Sequence, residues 1–219
     1  MGNYRHLMVF FCCCSIFFST MDGIVQPVFH SHKSALFMMM DLKDRSIPVH
    51  VASLMVSVMA GCFGVIIYGI ATLFIFRYFA LERLGRIKYF DSHFLPLWFA
   101  VPIAGGTAWT LVSLIIFSHN PTSSEYIRES IRTSFGMDIN QTAYIAAVFF
   151  PPDHNGEPRF SYQCGLGVLL NIAIMMVPFN IVIATGIKSV AKIKEFPTSD
   201  YGKDLQMQLY KALVAQVYV

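Results

Sequence analysis

The sequence predicts an all-α integral membrane protein, a helical bundle with about four complete spans and a partial fifth. Three observations carry this. The chain is 55% hydrophobic and only 13% charged, against about 25% charged in soluble domains, and a soluble chain of 219 residues could not bury so much apolar surface. Four runs are free, or almost free, of Asp, Glu, Lys and Arg, and at ~1.5 Å per helical residue each crosses a hydrocarbon core ~30 Å thick. Small residues also recur four apart within two of those runs. That spacing lets helix backbones come close, which holds helices together where no hydrophobic effect acts between them. The net charge of +3 is too weak to argue for a nucleic-acid partner.

The first run, 7–29, is apolar apart from Asp22 and Gln26. Arg5 and His6 before it also suit a signal peptide, but no A-x-A-like cleavage site follows cleanly. Asp22 is costly in a membrane segment and faces either the bundle or headgroup water. Pro27 kinks the helix or sits in its last turn. A polar linker over 30–50 follows. Its His30-Ser31-His32 could hold a metal on a strand, but nothing nearby completes a site.

The second span, 51–76, is the central one. No Asp, Glu, Lys or Arg occurs from Ser46 to Phe76, and Ser53, Ser57, Gly61 and Gly64 line one face. It ends abruptly at Arg77 beside Tyr78. The third span, 94–117, repeats Ala100, Ala104 and Ala108 beside Gly105, and Trp109 lies well inside it. The loop 118–159 is the longest hydrophilic link. Its Asn140-Gln141-Thr142 is a glycosylation acceptor triplet. The fourth span, 160–187, contains Pro178 and the polar Asn171. A basic link with Lys188, Lys192 and Lys194 leads to the partial span 205–219.

Lysine and arginine number nine on the side holding residues 1–6, 77–92 and 188–207, and six on the other. The positive-inside rule then puts the N-terminus and Arg77 in the cytoplasm, with 118–159 and Asn140 outside.

No G-x-S-x-G, H-E-x-x-H, P-loop, dinucleotide fingerprint or intramembrane carboxylate pair occurs. The residues therefore give no sign of an enzyme, a metal or a cofactor. The five cysteines show no C-x-x-C pair, and four lie in apolar runs as small hydrophobes. A transporter shows inverted repeats and several intramembrane charges, and a pore a ring of charges or a filter loop. None is visible here. Arg77-Tyr78 at the end of a central helix, with a lysine-bearing link nearby, suits a receptor that binds another protein on its cytoplasmic face. A non-signalling small membrane protein, scaffold or transporter-like, is the alternative.

Five short motifs in order carry a resemblance. Gly2-Asn3-Tyr4-Arg5-His6-Leu7-Met8 resembles the G-x-Y-(K/R)-x-L-M before the second helix of nematode seven-transmembrane chemoreceptors of the Str class. Gln26-Pro27-Val28-Phe29-His30 resembles the Pro-x-x-His that ends that helix. Gly61-Cys62-Phe63-Gly64 is similar to the C-x-C-F-G run. Phe76-Arg77-Tyr78-Phe79-Ala80-Leu81 resembles the (F/Y)-R-Y-x-A-L signature. The stretch from Leu205 to Gln216 resembles the opening of the sixth helix.

The resemblance implies a G protein-coupled chemosensory receptor of the seven-transmembrane type in a sensory-neuron plasma membrane. Its partners are an odorant or other small molecule, the α-subunit of a heterotrimeric G protein and the bilayer. On that reading the chain is an incomplete receptor, starting before the second helix and stopping early in the sixth. Arg77, Tyr78, Lys188, Lys192 and Lys194 are the expected G protein contacts. Asp22, Trp109 and Asn171, as polar or amphipathic groups within spans, are the ligand-facing candidates. The broad rhodopsin-like pattern places an acid before the arginine, where Phe76 stands here. Cys62 is about 22 Å from Arg77 along the helix, too deep to reach an outer-loop cysteine such as Cys164.

Overall fold

A computed structural model describes residues 2–81, 86–90, 93–152 and 157–195, together with 207, 208 and 211. The partial span expected at 205–219 lies outside the described residues but for those three positions, as does the Lys194 side chain. Five helices are described: α1 (Gly2–Val25), α2 (Val49–Leu81), α3 (Leu95–Ile116), α4 (Pro121–Phe135) and α5 (Tyr162–Glu195). Four are long and apolar enough to cross a membrane, over Arg5–Val25, Val49–Leu81, Leu95–Ile116 and Tyr162–Ile193. The protein is an all-α membrane bundle with a small sheet at one end.

The bundle is organised by α2, which packs on α1, α3 and α5. Its seam with α3 is glycine on glycine. A Cβ on Gly61 would lie 2.7 Å from the Gly106 carbonyl oxygen, and one on Gly106 would lie 2.8 Å from that of Gly61. Neither position has room for a side chain, so the backbones meet directly. The small-residue face of α2 is buried at Ser57, Gly61 and Gly64. The alanine stripe of α3 behaves otherwise: Ala100 and Ala104 are exposed, and Gly105 and Gly106 are the buried positions. Two adjacent glycines permit closer approach than alanines a turn apart, so they set which face of α3 turns inward.

The linker over 30–50 and the loop over 118–159 hold more structure than their polarity suggests. Strands β1 (Val28–His32), β2 (Ala35–Asp41) and β3 (Thr142–Val148) form an antiparallel sheet in that order. Lys33, in the turn between β1 and β2, has a φ of 51°. The register sets Val28 against Met39 and Met39 against Tyr144. The central strand is buried on both faces. Met38 and Met40 pack with Ala52, Val56 and Met59 of α2. Phe37 and Met39 pack with Ile127 and Ile131 of α4. A strand sandwiched in this way reads as a continuous apolar run without alternation, which is what Ala35–Met40 is.

Helix α4 covers the far face of the sheet. Asn120 caps its start, its side chain accepting from the Thr122 N–H at 3.2 Å, and Pro121 occupies the first turn, where no N–H is missed. Gly136 closes it with a φ of 65°, its N–H donating to the Arg132 carbonyl at 3.0 Å. The Ala146 N–H donates to the Phe117 carbonyl at 2.9 Å, fastening β3 to the end of α3. At the opposite end, a 3₁₀ turn over Arg86–Phe90 joins the side of α2 and α3.

Candidate functional site: a roofed cavity and a basic end

A cavity of about 480 Å³ lies between α2, α3 and α5, roofed by the sheet. That volume is within the roughly 300–1,000 Å³ usual for small-molecule sites. Phe63 of α2, Trp109 of α3, Phe117 just past the end of α3, and Met175 and Phe179 of α5 form its walls, and Phe29, Leu36 and Ile145–Ala147 contribute from the strands. Among the described residues, no ionisable side chain lines it.

The structure brings two of the three sequence-selected candidates, Trp109 and Asn171, to this one cavity. Asn171 Oδ1 is buried and has no hydrogen-bond partner among the described residues. An acceptor left in that state costs more than an ordinary hydrogen bond returns. Asp22 is elsewhere: it is exposed near the end of α1 and does not line the cavity. There its backbone carbonyl accepts from the Gln26 N–H at 2.8 Å. Nearby, the Arg45 guanidinium donates to the Ile24 carbonyl and, at 2.7 Å, to Gln26 Oε1.

The lining residues from the strands escape sequence reading, because Phe29, Leu36 and Ile145 reach the cavity only through pairing between distant segments. Tyr68 also escapes it, though a signal is present. Pro178 lies inside α5 and has no N–H, so the carbonyl of Ile174, four residues earlier, loses its helical donor. The Tyr68 hydroxyl donates to that carbonyl at 2.9 Å. A proline in a membrane helix orphans a carbonyl, and a tyrosine on a neighbouring apolar helix needs an acceptor. Gly105 makes the room: a Cβ there would lie 2.5 Å from the Tyr68 ring. The tie between α2 and α5 sits one turn beyond Asn171 and next to Met175, within the stretch of α5 that lines the cavity.

The end of the bundle away from the sheet holds the basic candidates. The C-terminal ends of α2 and α5 lie there together, since both helices leave the sheet in the same direction. Arg77 and Tyr78 are half-buried, Lys188 is exposed and Lys192 is half-buried. Phe76, where the broad pattern has an acid, is buried and meets the Phe90 ring edge-on at 4.9 Å. Phe90 stacks on Trp98 at 4.2 Å, and the Trp98 indole donates to the Tyr89 carbonyl at 2.8 Å. An aromatic series thus fastens the 3₁₀ turn beneath Arg77.

In the roof, Tyr144 is fully buried, with its hydroxyl 2.6 Å from Ser124 Oγ. Burial pushes its phenol above the ordinary range, against the opposing pull of the Ser124 hydrogen bond. Asn140 is exposed at the same end, in the short turn before β3. The neighbouring Thr142 hydroxyl is buried and donates to the Asp138 carbonyl at 2.9 Å. His30, on β1, packs edge-on against Phe37 and Phe135. No cluster of three or more metal-ligating side chains occurs among the described residues. Cys62 and Cys164 are buried and free.

Comparison with known proteins agrees with this architecture. Residues 1–219 match the family described as serpentine type 7TM GPCR chemoreceptor Str. The chain is 25% identical over 224 residues to serpentine receptor class r-10 of Caenorhabditis briggsae, covering all of this chain and 64% of that protein. It is 25% identical over 228 residues to the Caenorhabditis elegans protein of the same name, covering 65% of it. With the G-protein coupled receptor str-33 of C. elegans it shares 20% identity and covers 64% of that protein. The chain therefore spans just under two thirds of the length of these relatives. No solved structure gives a significant match. A multi-pass apolar bundle matched by the family along its whole length identifies the chain as a member of the Str family of serpentine seven-transmembrane chemoreceptors.

Proposed function

We propose that the chain carries the sensing and transducing parts of a receptor for small, largely apolar molecules of the odorant type. The ligand sits in the roofed cavity, and the opposite end contacts the α-subunit of a heterotrimeric G protein through Arg77, Tyr78, Lys188, Lys192 and Lys194. The observation that carries this reading is the cavity of about 480 Å³. It gathers three spans and both sheet-forming links around one space, so occupancy bears on the packing of all of them. The tie from Tyr68 to Ile174 supports a route from cavity to basic end, since it joins, beside the cavity, the helices that carry Arg77 and Lys188. A ligand moves such an equilibrium only through its different affinity for the two helix arrangements.

The membrane is the plasma membrane, with the N-terminus and Arg77 cytoplasmic and the sheet outside. The excess of basic residues at the Arg77 end and the exposure of Asn140 at the other both support this orientation. In that setting Asn140 takes an N-linked glycan.

The test uses a ligand-driven signalling assay in cells with surface delivery measured in parallel. Ala147→Phe, which fills the cavity from its roof, abolishes the response while leaving the receptor at the surface. Arg77→Ala does the same from the other end. A full response from both variants refutes the assignment of the two sites. For orientation, glycosidase treatment increases the gel mobility of the expressed chain, and Asn140→Gln removes that change. A mobility that glycosidase leaves unaltered counts against an external sheet.

A further inference from the structure

We propose that the cleft between α1 and α3, at the end of the bundle that carries Arg77, holds one anionic glycerophospholipid, its phosphate on Arg5 and His6 and an acyl chain along Phe10 and Phe99. This site is separate from the roofed cavity. A groove of about 450 Å³ lies there, lined by Arg5, His6, Val9 and Phe10 of α1 and by Phe99 of α3. Leu7 packs with Phe74 and Phe76, which sets the start of α1 beside the end of α2 that carries Arg77. Arg5 is the first residue of the span Arg5–Val25, and so stands at headgroup depth.

Polarity changes along the groove in the same direction as along a phospholipid. Arg5 and His6 head it, and Val9 and Phe10 follow four residues on, on the same helix face and one turn deeper. Phe10 stacks on Phe99 at 4.5 Å, so an apolar floor joins the two helices. Arg5 and His6 are both exposed, and among the described residues neither side chain has a hydrogen-bond or ion-pair partner. A guanidinium holds a phosphate through two parallel N–H donors, and an imidazole offers an N–H in either neutral tautomer. Among the described residues, no acidic side chain lines the groove. The cationic group of a choline headgroup therefore finds no counter-charge, which favours a headgroup of net negative charge. Under the orientation proposed above, the leaflet is the cytoplasmic one, where anionic lipids concentrate.

The test titrates the full chain in detergent micelles with phosphatidylinositol and with phosphatidylcholine of the same acyl chains, and mass spectrometry of the intact complexes counts the lipids retained. A single phosphatidylinositol is retained, at roughly one tenth of the half-saturating concentration of phosphatidylcholine. Arg5→Gln raises that concentration about tenfold, and Arg5→Lys, which keeps the charge but loses the paired donors, gives a value between the two. Lys88→Gln removes an exposed charge outside the groove lining and leaves the concentration unchanged. An excess of water-soluble glycerophosphoinositol does not displace the lipid, because it lacks the chains that Phe10 and Phe99 hold. Equal retention of the two lipids overturns the assignment. So does an equal loss in Arg5→Gln and Lys88→Gln, which reports only diffuse attraction to basic residues. Displacement by glycerophosphoinositol overturns it too, since the site is then one for free phosphate esters.

Discussion

Two tyrosines show how single hydroxyls are used in this molecule. Tyr68 supplies the donor that Pro178 removes from the Ile174 carbonyl. Tyr68→Phe therefore leaves a carbonyl without a partner inside the bundle, at about 1–3 kcal/mol, and a thermal unfolding series in detergent shows the loss. Replacing Pro178 by Ala in the same background restores a helical N–H to Ile174 and recovers much of it. Tyr144 acts in the roof, where burial holds its phenol above the ordinary value. Below pH ~10, where an exposed phenol stays protonated, its contribution to stability is complete. Above that, the unfolded chain releases the proton while the folded one keeps it, so stability falls as pH rises. Tyr144→Phe costs about 1 kcal/mol near neutrality through the lost bond to Ser124, and its decline above pH ~10 is the shallower of the two in parallel denaturation curves.

At the level of elements, the four spanning helices were readable because each rests on a local property, a long stretch with little or no charge, whereas the charged α4 was read only as part of a hydrophilic loop. The central role of α2 was readable too, from small residues that now prove buried against α3. What decided the partner face of α3 was not the alanine stripe but Gly105 and Gly106, whose importance depends on what stands opposite them. Gly106→Ala drives a methyl against the Gly61 carbonyl and separates the two helices, destabilising by about 1–3 kcal/mol, and lowered yield of folded protein on size exclusion reports it. The sheet was hidden for a different reason. Ala35–Met40 is apolar without alternation, so its short run has no period that marks a strand. Its partner β3 lies far away in the chain. Trp109 and Asn171 were identifiable as amphipathic or polar groups in apolar spans, but Asp22, chosen by the same argument, sits outside the cavity. Polarity within a span shows that a residue needs an explanation, not which neighbour supplies it.

For the whole molecule, the proposed reading assigns two tasks to the two ends of one bundle. The sheet and α4 make a roof whose far core, Ile127, Ile131 and Tyr144 among others, is distinct from the aromatic group of Phe76, Phe90 and Trp98 at the other end. Replacing Ile131 by Asp loosens α4 from the sheet, and hydrogen exchange then speeds up in β2 and β3 while the amides around Phe90 keep their protection.

The pairing of β2 with β3 also has a consequence for how the chain is made. Ala35 meets Val148 across an interval of more than one hundred residues, and α2, α3 and α4 all lie within it. During synthesis the methionine strand emerges early and waits, one edge unsatisfied, until two further spans have been threaded and the chain has returned to the same side. Contacts of such high order close late. The roof thus closes only after α3 and α4 have been made, and a ribosome stalled before Thr142 leaves an open sheet edge prone to pairing with other chains.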